Sequence, residues 1–352
     1  MIGLNENEPI EMNTAYALDL LERLLRTPSP TGYTFHAMQL LEAEAERLGI
    51  STQRIAKGGL LMNVGGKEQG NATCVTAHVD TLGAMVRSVN GNGTLRLTSV
   101  GGYMMQSIEN EYCNVHTRSG NAVSGTILTT KPSVHVYDEA RDLKREEAHY
   151  EIRLDEPVQS REDVSALGIR AGDAVSFDPR PVFLPNGYIK SRHLDDKAGV
   201  AVLFALLEWF VRTGSRPRRD VVFLISNYEE IGHGSSYVPD GVEEMIAVDM
   251  GALGDDLAGT ERGVSICAKD SSGPYDWHMT THLIELAEAL RLTYAVDIYP
   301  RYGSDASAAL RGGNNIRAAL IGPGVHASHG MERTHVDALR HSFKLLAAYV
   351  TA

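Results

Sequence analysis

The alternation of short apolar runs with amphipathic segments is the feature of this sequence that most restricts its fold. Runs such as residues 72–77 and 221–226 are too short for helices and are typical of buried strands. Segments with helical spacing of apolar residues separate them along the chain. Strands that alternate with helices favour a mostly parallel sheet with helices on both faces. We therefore predict an α/β fold with a central, mostly parallel sheet.

The individual elements follow from the same periodicities. Proline and glycine residues between positions 28 and 32 separate the first two helical segments, and Gly49 ends the second. The predicted helices comprise residues 14–26, 34–48, 195–212, 276–290 and 335–349. The predicted strands of the central sheet comprise residues 72–77, 221–226 and 245–248.

Residues 88–181 have a different pattern from the rest of the chain. Short alternating segments, punctuated by Gly, Asn and Pro, predict strands at residues 94–97, 125–129, 150–154 and 174–177. This pattern predicts a small β-barrel inserted into a larger domain. The predicted domains are therefore 1–87 with 182–352, and 88–181. The dense charge run at 138–147 is typical of a solvated loop.

Composition excludes several classes of function. A chain of 352 residues that is 43% hydrophobic can bury a large core. Its net charge of -12 argues against nucleic acid or an anionic membrane as a partner. Residues 1–13 are polar and acidic, and no later segment approaches eighteen uninterrupted apolar residues, so we expect a cytoplasmic protein. The three cysteines, Cys74, Cys113 and Cys267, are far apart and are expected to be buried and reduced.

Residues that bind metals follow the predicted strands. His78, Glu229 and Asp249 each come after an apolar run, and functional groups of open α/β sheets gather beyond the carboxyl ends of the strands. A single histidine at a strand end is usually structural, and Asp195 alone would be an ordinary helix cap. The combination of these residues with Glu230 and His329 in one chain favours a metal centre instead.

The residue types match the needs of two neighbouring divalent ions. Such ions take imidazole nitrogen and carboxylate oxygen, and a pair about 3.5 to 4 Å apart requires a bridging anion. We predict Asp195 as the bridge. The predicted terminal ligands are His78 with Asp249 on one ion and Glu230 with His329 on the other. This assignment leaves an open position for a water molecule.

The remaining polar residues of these motifs have predicted roles in catalysis. Glu229 is left free to take a proton from the water that the metals activate and to return it to the departing amine. Asp80, two residues after His78, is predicted to hold the second nitrogen of that imidazole. Asp305, in a turn before a helix, is either a helix cap or a group close to the metal site.

Six motifs distributed over nearly the whole chain resemble those of a known family of enzymes. The motifs are Thr76-Ala77-His78-Val79-Asp80, Gly172-Asp173-Ala174-Val175-Ser176-Phe177-Asp178-Pro179, Leu194-Asp195-Asp196-Lys197-Ala198-Gly199, Asn227-Tyr228-Glu229-Glu230-Ile231-Gly232, Ala247-Val248-Asp249 and Gly303-Ser304-Asp305-Ala306. They are similar to the motifs of the co-catalytic di-zinc aminopeptidases of the glutamyl and tetrahedral aminopeptidase family. The resemblance implies a peptidase fold interrupted by a barrel-like dimerisation domain, and homodimers that can assemble into dodecamers. It also implies Asp195 as the bridge and a cis Asp195–Asp196 peptide.

The sequence departs from the family pattern at three places. Thr81 stands where many relatives have an acidic residue, and Lys197 where they often have arginine. The last ligand has two candidates, His326 and His329. The resemblance favours His329, because a His-Gly pair with a nearby glutamate recurs among tripeptidase relatives.

The sequence thus predicts a metal-dependent aminopeptidase acting on short peptides. Zinc is the expected metal, although cobalt and manganese accept the same ligands. The segment 328–335 also resembles a branch linked to synthesis of the osmoprotectant N-acetylglutaminylglutamine amide. That resemblance supports an alternative, an N-acyl-amino-acid deacylase or deblocking peptidase for a small acylated, glutamine-containing substrate. A catalytically silent metal-bound scaffold is a distant third hypothesis, because such a protein has no need of Glu229.

Overall fold

The computed structural model describes residues 9–352, so most of the 1–13 segment considered above lies outside the described residues. The helices of the described part are α1 Thr14–Arg26, α2 Phe35–Arg47, α3 Arg161–Ala166, α4 Leu194–Thr213, α5 Trp277–Ala289, α6 Asp305–Arg311 and α7 Val336–Thr351. The first strands are β1 Thr52–Arg54, β2 Leu60–Val64, β3 Ala72–His78, β4 Gly83–Val89, β5 Leu95–Val100, β6 Tyr112–His116, β7 Ala122–Thr129, β8 Tyr150–Leu154 and β9 Ala174–Phe177. The later strands are β10 Val182–Phe183, β11 Tyr188–Ser191, β12 Val221–Ser226, β13 Val242–Val248, β14 Gly251–Ala252, β15 Val264–Asp270, β16 Gly273–Pro274, β17 Tyr294–Ile298, β18 Arg317–Val325 and β19 Glu332–His335.

A ten-stranded sheet forms the centre of the larger domain. Its main order is β1-β2-β12-β3-β13-β18-β15-β16, with β14 beside β18 and β17 beside β15. The four middle strands, from β12 to β18, are parallel to one another, and antiparallel strands extend the sheet on both sides. The predicted α/β fold with a mostly parallel centre is therefore confirmed.

Helices cover both faces of this sheet. Val75 and Ala77 of β3 belong to the apolar core that includes α1, α4 and α7, whereas Cys74, directly before Val75, belongs to the core that includes α6. This alternation is the two-residue period of a strand that is buried on both faces. Helix α4 contacts β3, α1 and α7, and its residues 194–210 are buried. An almost entirely apolar helix therefore runs through the core directly after the Asp195–Asp196 pair.

The inserted barrel is closed and has a core of its own. Six strands form it in the order β4-β5-β8-β7-β6-β9, each antiparallel to its neighbours. Its buried apolar residues form a separate cluster. The strands extend from Gly83 to Phe177, so the barrel begins before the predicted boundary at residue 88. The charged run 138–147 forms short 3-10 turns and irregular backbone on the surface of the insertion.

Two further expectations concern thiols and membranes. Cys74, Cys113 and Cys267 are free and buried, as predicted. Among residues 9–352, no helix combines the length and the apolar character that crossing a bilayer requires.

Gly322 of β18 provides a test of how tightly this sheet is packed beside Asp249. A Cβ added at Gly322 would lie 1.6 Å from the main-chain oxygen of Asp249, so the backbone must shift to accept it. We expect Gly322→Ala to lower the free energy of unfolding by about 1–3 kcal/mol, as overpacking does. Gly254→Ala is the matched control, because nothing lies within 4 Å of its added Cβ. Denaturant unfolding measures both, and equal stabilities of the two variants would contradict the close packing described here.

Candidate metal centre

The polar residues at the ends of three neighbouring strands meet at one edge of the sheet. His78 is the last residue of β3, and Asp249 directly follows β13 on one side of it. On the other side, β12 ends beside His78, and Glu229 and Glu230 lie in the 3-10 turn that follows. Ligand atoms of His78, Glu229 and Asp249 lie within 4.8 Å of one another, as do those of His78, Asp195 and Glu230.

Asp195 lies between the two predicted metal-binding histidines. Its Oδ1 is 3.1 Å from Nε2 of His78, and its Oδ2 is 3.3 Å from Nε2 of His329. Each oxygen of one buried carboxylate thus faces a different imidazole, which is the arrangement that a bridging ligand requires. The Asp195–Asp196 peptide bond is cis, as the family resemblance implies.

His329 and His326 differ clearly in position. Nε2 of His329 is 3.4 Å from Oε2 of Glu230, and its Nδ1 donates a hydrogen bond to the main-chain oxygen of Gly102 in the inserted domain. His326 is exposed, and its backbone forms an isolated bridge with Arg333. Of the two candidates for the last ligand, the structure brings His329 to the other predicted ligands.

Asp80 requires a correction to its predicted contacts. The shortest contact of His78 Nδ1 is to the main-chain oxygen of Asp80 at 2.9 Å, whereas the Asp80 carboxylate is 3.7 Å away. That carboxylate instead accepts the backbone N–H groups of Glu229 and Glu230, at 3.2 and 3.3 Å, and the hydroxyl of Thr31 at 2.8 Å. Asp80 therefore holds the imidazole through its carbonyl group and the Glu229 turn through its side chain.

Asp305 also has a role in holding this turn. Ser304, not Asp305, caps α6, so the helix-cap alternative is wrong. The buried carboxylate of Asp305 accepts hydrogen bonds from Thr76 Oγ1 at 3.1 Å and from the backbone N–H of Ser235 at 2.7 Å. It also accepts the hydroxyl of Ser226. Asp305 thus connects β3 with both ends of the loop that carries Glu229.

Lys197 and Thr81, the two departures from the family pattern near the predicted ligands, make their hydrogen bonds outside the candidate metal centre. Lys197 is buried and donates to the main-chain oxygens of Leu24 and Thr27 at the end of α1, both at 2.8 Å. Thr81 is buried, and its hydroxyl donates to the main-chain oxygen of Leu82. Both residues therefore bind backbone carbonyl groups rather than the predicted ligands.

Glu332 is a buried residue of this site. In the sequence it stands out only as a glutamate near His329, and no contact was predicted for it. Its carboxylate accepts the backbone N–H of Asp195 at 3.0 Å and that of His329 at 3.1 Å. The predicted bridge and the predicted last ligand are thus connected through one side chain. The only sequence signal for this role is its short distance along the chain from His329.

A cavity of about 800 Å³ opens onto the predicted ligands. Its walls include Tyr103 and Met104 of the inserted domain, together with Arg301 and Tyr302 from the loop before α6. These four residues were not predicted, because no local spacing pattern connects them with the ligand motifs. The cavity therefore lies where the inserted domain meets the larger one.

Burial and, after it, repulsion between like charges shift the pKa values of the carboxyl groups at this centre. Burial, and then the charge of Asp195, raise the pKa of Asp249 to about 7 and that of Glu230 well above its usual value. Burial opposes protonation of His329, but its hydrogen bond to Asp195 and the charge of Glu230 raise its pKa to about 10. Burial would also raise the pKa of Asp195, yet hydrogen bonds from His329 and His78 bring it below its usual value.

These residues fit a cation site. Buried carboxylates normally have hydrogen-bonding partners, but Oε1 of Glu230 is buried without one. Several carboxylates share one pocket with two imidazoles, and this mixed oxygen and nitrogen set suits zinc and similar divalent ions. Cations would neutralise the repulsion among the carboxylates and satisfy the unpaired oxygen.

Comparison with known proteins identifies the family. The sequence matches the M42 glutamyl aminopeptidase family over residues 58–345, and the chain belongs to that family. It is 48% identical over 334 residues to the putative aminopeptidase YhfE of Bacillus subtilis (strain 168), covering 95% of this chain and 96% of the relative. The chain is therefore a metallo-aminopeptidase, and the predicted enzyme class is confirmed.

Solved structures show the same fold. A TET aminopeptidase from the marine sediment archaeon Thaumarchaeota archaeon SCGC AB-539-E09 matches with a TM-score of 0.87 and 17% identity, covering 96% of this chain and 97% of that one. The TET1 peptidase of Pyrococcus horikoshii matches with a TM-score of 0.84 and 22% identity, covering 95% and 99%. At these identities the likeness establishes the architecture, including the inserted barrel.

The pKa values of the metal-free centre predict that metal binding depends on pH. A ligating Asp249 must be ionised and a ligating His329 neutral, whereas their pKa values are about 7 and about 10 without metal. The metal-free form therefore binds more protons, and lowering the pH favours it. The pKa values of His78 and Glu230 are raised as well, so we expect zinc to displace protons at both pH 6 and pH 8, and more of them at pH 6.

Titration calorimetry in buffers of different ionisation enthalpy measures this proton release. The zinc affinity should fall steadily as the pH decreases from 8 to 6. An affinity and a proton count that stay constant over this range would contradict the ligand roles of Asp249 and His329.

Proposed function

We propose that this aminopeptidase works with two divalent cations bridged by Asp195. The observation that carries the proposal is the position of the Asp195 carboxylate, with one oxygen toward His78 and the other toward His329. His78 and Asp249 would complete the ligands of one ion, and Glu230 and His329 those of the other. Zinc is the proposed metal, and cobalt or manganese would suit the same ligands.

Bound at these residues, the cations would lower the pKa of a water molecule and polarise the carbonyl group of the scissile peptide bond. Glu229 is the proposed general base, and it lines the cavity. Its Oε2 lies 3.6 Å from Nε2 of His78. It takes a proton from the attacking water and then donates that proton to the departing amine. Asp80 keeps Glu229 in place, because its carboxylate accepts the backbone N–H of that residue.

The proposed substrate is a short peptide with a free N-terminal amine. A free amine has a lone pair that a cation at Asp195, Glu229, Glu230 and Asp249, which line the cavity, could bind, whereas the nitrogen of an N-acyl group has none available. The peptide substrate would enter the cavity between walls that both domains contribute. The deacylase alternative is second, because the family and the 48%-identical relative are aminopeptidases by name.

The assembly and location of the enzyme are also proposals. The TET1 peptidase of Pyrococcus horikoshii, which has the same fold, can assemble into a tetrahedron or a large octahedral shell. We propose by analogy that this chain forms homodimers through the inserted domain, residues 88–181, and that dimers can combine into dodecamers. A cytoplasmic location is retained from the composition and the buried, free thiols.

Replacing Glu229 with glutamine tests the proposed base. Gln keeps the size of the side chain but cannot accept the proton, so kcat should fall by about 10²- to 10⁴-fold. The zinc content should stay at two ions per chain, because the proposed ligands are unchanged. Steady-state kinetics and elemental analysis measure these two quantities.

Glu243→Gln is the matched control, because Glu243 is an exposed residue of β13. It should leave both kcat and zinc content unchanged. Full activity of the Glu229→Gln enzyme would show that Glu229 is not the general base. Loss of both ions would indicate that Glu229 is a metal ligand instead.

The nature of the bond that is cleaved requires a separate assay. We expect a set of free dipeptides, including glutaminyl-glutamine, to be hydrolysed, and their N-acetylated forms to be resistant, because only the free amine has a lone pair that the proposed cations can bind. Chromatography of the products measures both sets. Turnover of only the acetylated forms would establish the deacylase alternative, and turnover of neither set by the zinc-loaded protein would favour the silent scaffold.

A further inference from the structure

Arg192 connects the inserted barrel with the segments that carry two of the proposed ligands. This residue lies three positions before Asp195, and its side chain is only 5% exposed. Its guanidinium group donates to Oε1 of Glu111 at 2.9 Å and to the main-chain oxygen of Ser107, both in the inserted domain. It also donates to the main-chain oxygen of Gly330 at 3.3 Å. Gly330 directly follows His329, so one buried side chain joins three segments.

The turn that carries His329 depends on such contacts. His329 has a positive φ of 61°, which is uncommon for a residue other than glycine, and its side chain is 35% exposed. In contrast, the His78 side chain is 2% exposed at the end of a central strand. The second nitrogen of His329 is held by Gly102, and that of His78 by Asp80. Contacts from the barrel therefore support the His329 side of the centre together with Glu332, whereas the contacts of His78 come from the larger domain.

We propose that Arg192 is a positioning residue that holds the His329 turn against the barrel. Its loss would weaken binding of the cation at Glu230 and His329 and spare the cation at His78 and Asp249. This inference rests on the proposed function, since it assumes two bound cations. It assigns to the inserted domain a part in forming the metal centre.

Arginine suits this position because its planar group offers several donors in a fixed geometry, whereas lysine offers a compact ammonium on a flexible chain. Glu111 has a second partner, Arg180, which is half exposed and contacts the same carboxylate oxygen. Replacement of Arg192 therefore leaves Glu111 paired, so the variant avoids an isolated buried charge. Arg180 also provides a control, because it contacts Glu111 without contacting Gly330.

The test compares zinc binding by the wild-type protein, Arg192→Met and Arg180→Met. Each full-length protein is equilibrated with zinc at buffered free concentrations, and bound zinc per chain is measured by elemental analysis. Removal of groups that orient metal ligands typically costs 10- to 100-fold in affinity. We expect a loss of about this size for one of the two ions in Arg192→Met, and wild-type binding in Arg180→Met. Wild-type affinity for both ions in folded Arg192→Met would overturn the proposal.

A double-mutant cycle identifies which ion is affected. His329→Ala should itself weaken one ion, and adding Arg192→Met should change its zinc binding little further, because both changes act on the same ion. In the Asp249→Asn background, which leaves His329 intact, Arg192→Met should still weaken zinc binding. A full further loss of affinity with His329→Ala, or no further loss with Asp249→Asn, would count against the proposed position of Arg192.

Circular dichroism and gel filtration show whether each variant is folded. If Arg192→Met does not fold, Arg192→Lys decides the question, because it keeps the charge but cannot hold Glu111, Ser107 and Gly330 together. Weaker binding of one ion in that variant supports the proposal, and unchanged binding overturns it. A wild-type protein that binds fewer than two ions would contradict the proposed function itself, which separates the two kinds of failure.

Discussion

Mutual repulsion of buried carboxylates is the constraint on which the rest of the site depends. Asp195, Glu229, Glu230 and Asp249 share one pocket, and like charges at low dielectric repel strongly. Burial and neighbouring charges accordingly raise the pKa of three of them, whereas Asp195, between two imidazoles, keeps a lowered pKa. The fold holds these groups together in spite of their repulsion. Divalent cations are the ligands whose binding relieves it, and this explains why the residues fit a metal centre better than a neutral hydrogen-bonded core.

Close packing at the carboxyl ends of the central strands keeps the acidic groups in place against this repulsion. Gly199 in α4 shows how close the packing is, because an added Cβ would lie 2.3 Å from the Asp196 carboxylate and 2.4 Å from the main-chain oxygen of Val248. Tyr228, His193 and His329 have positive φ values and lie at or next to the ligand motifs. Backbone of this kind persists where the surrounding contacts determine it, and such residues are concentrated at functional sites. Several of the turns that carry the proposed ligands thus have unfavourable local geometry.

Local patterns in the sequence predicted the elements that position most of the site, and long-range contacts account for what was missed. The strand Val221–Ser226 and the strand end at His78 follow from apolar runs, which are local. Strand β18 was not predicted, because Gly322, Pro323 and Gly324 interrupt its apolar run and normally indicate a turn. The contact of His329 with Gly102 joins residues far apart in the chain, so no spacing rule indicates it.

The structure separates the chemistry of the site from the shape of its cavity. The proposed ligands and base all come from the larger domain, whereas Tyr103 and Met104 of the barrel form part of the wall. The barrel also contacts the larger domain away from the candidate metal centre, since His116 stacks on Tyr33 with ring centroids 4.6 Å apart. Loop residues on a docked barrel can therefore change without altering a single ligand. The barrel also contacts the His329 turn, however. A shift of the whole barrel would therefore alter the candidate metal centre, whereas a change of a side chain in one of its loops would not.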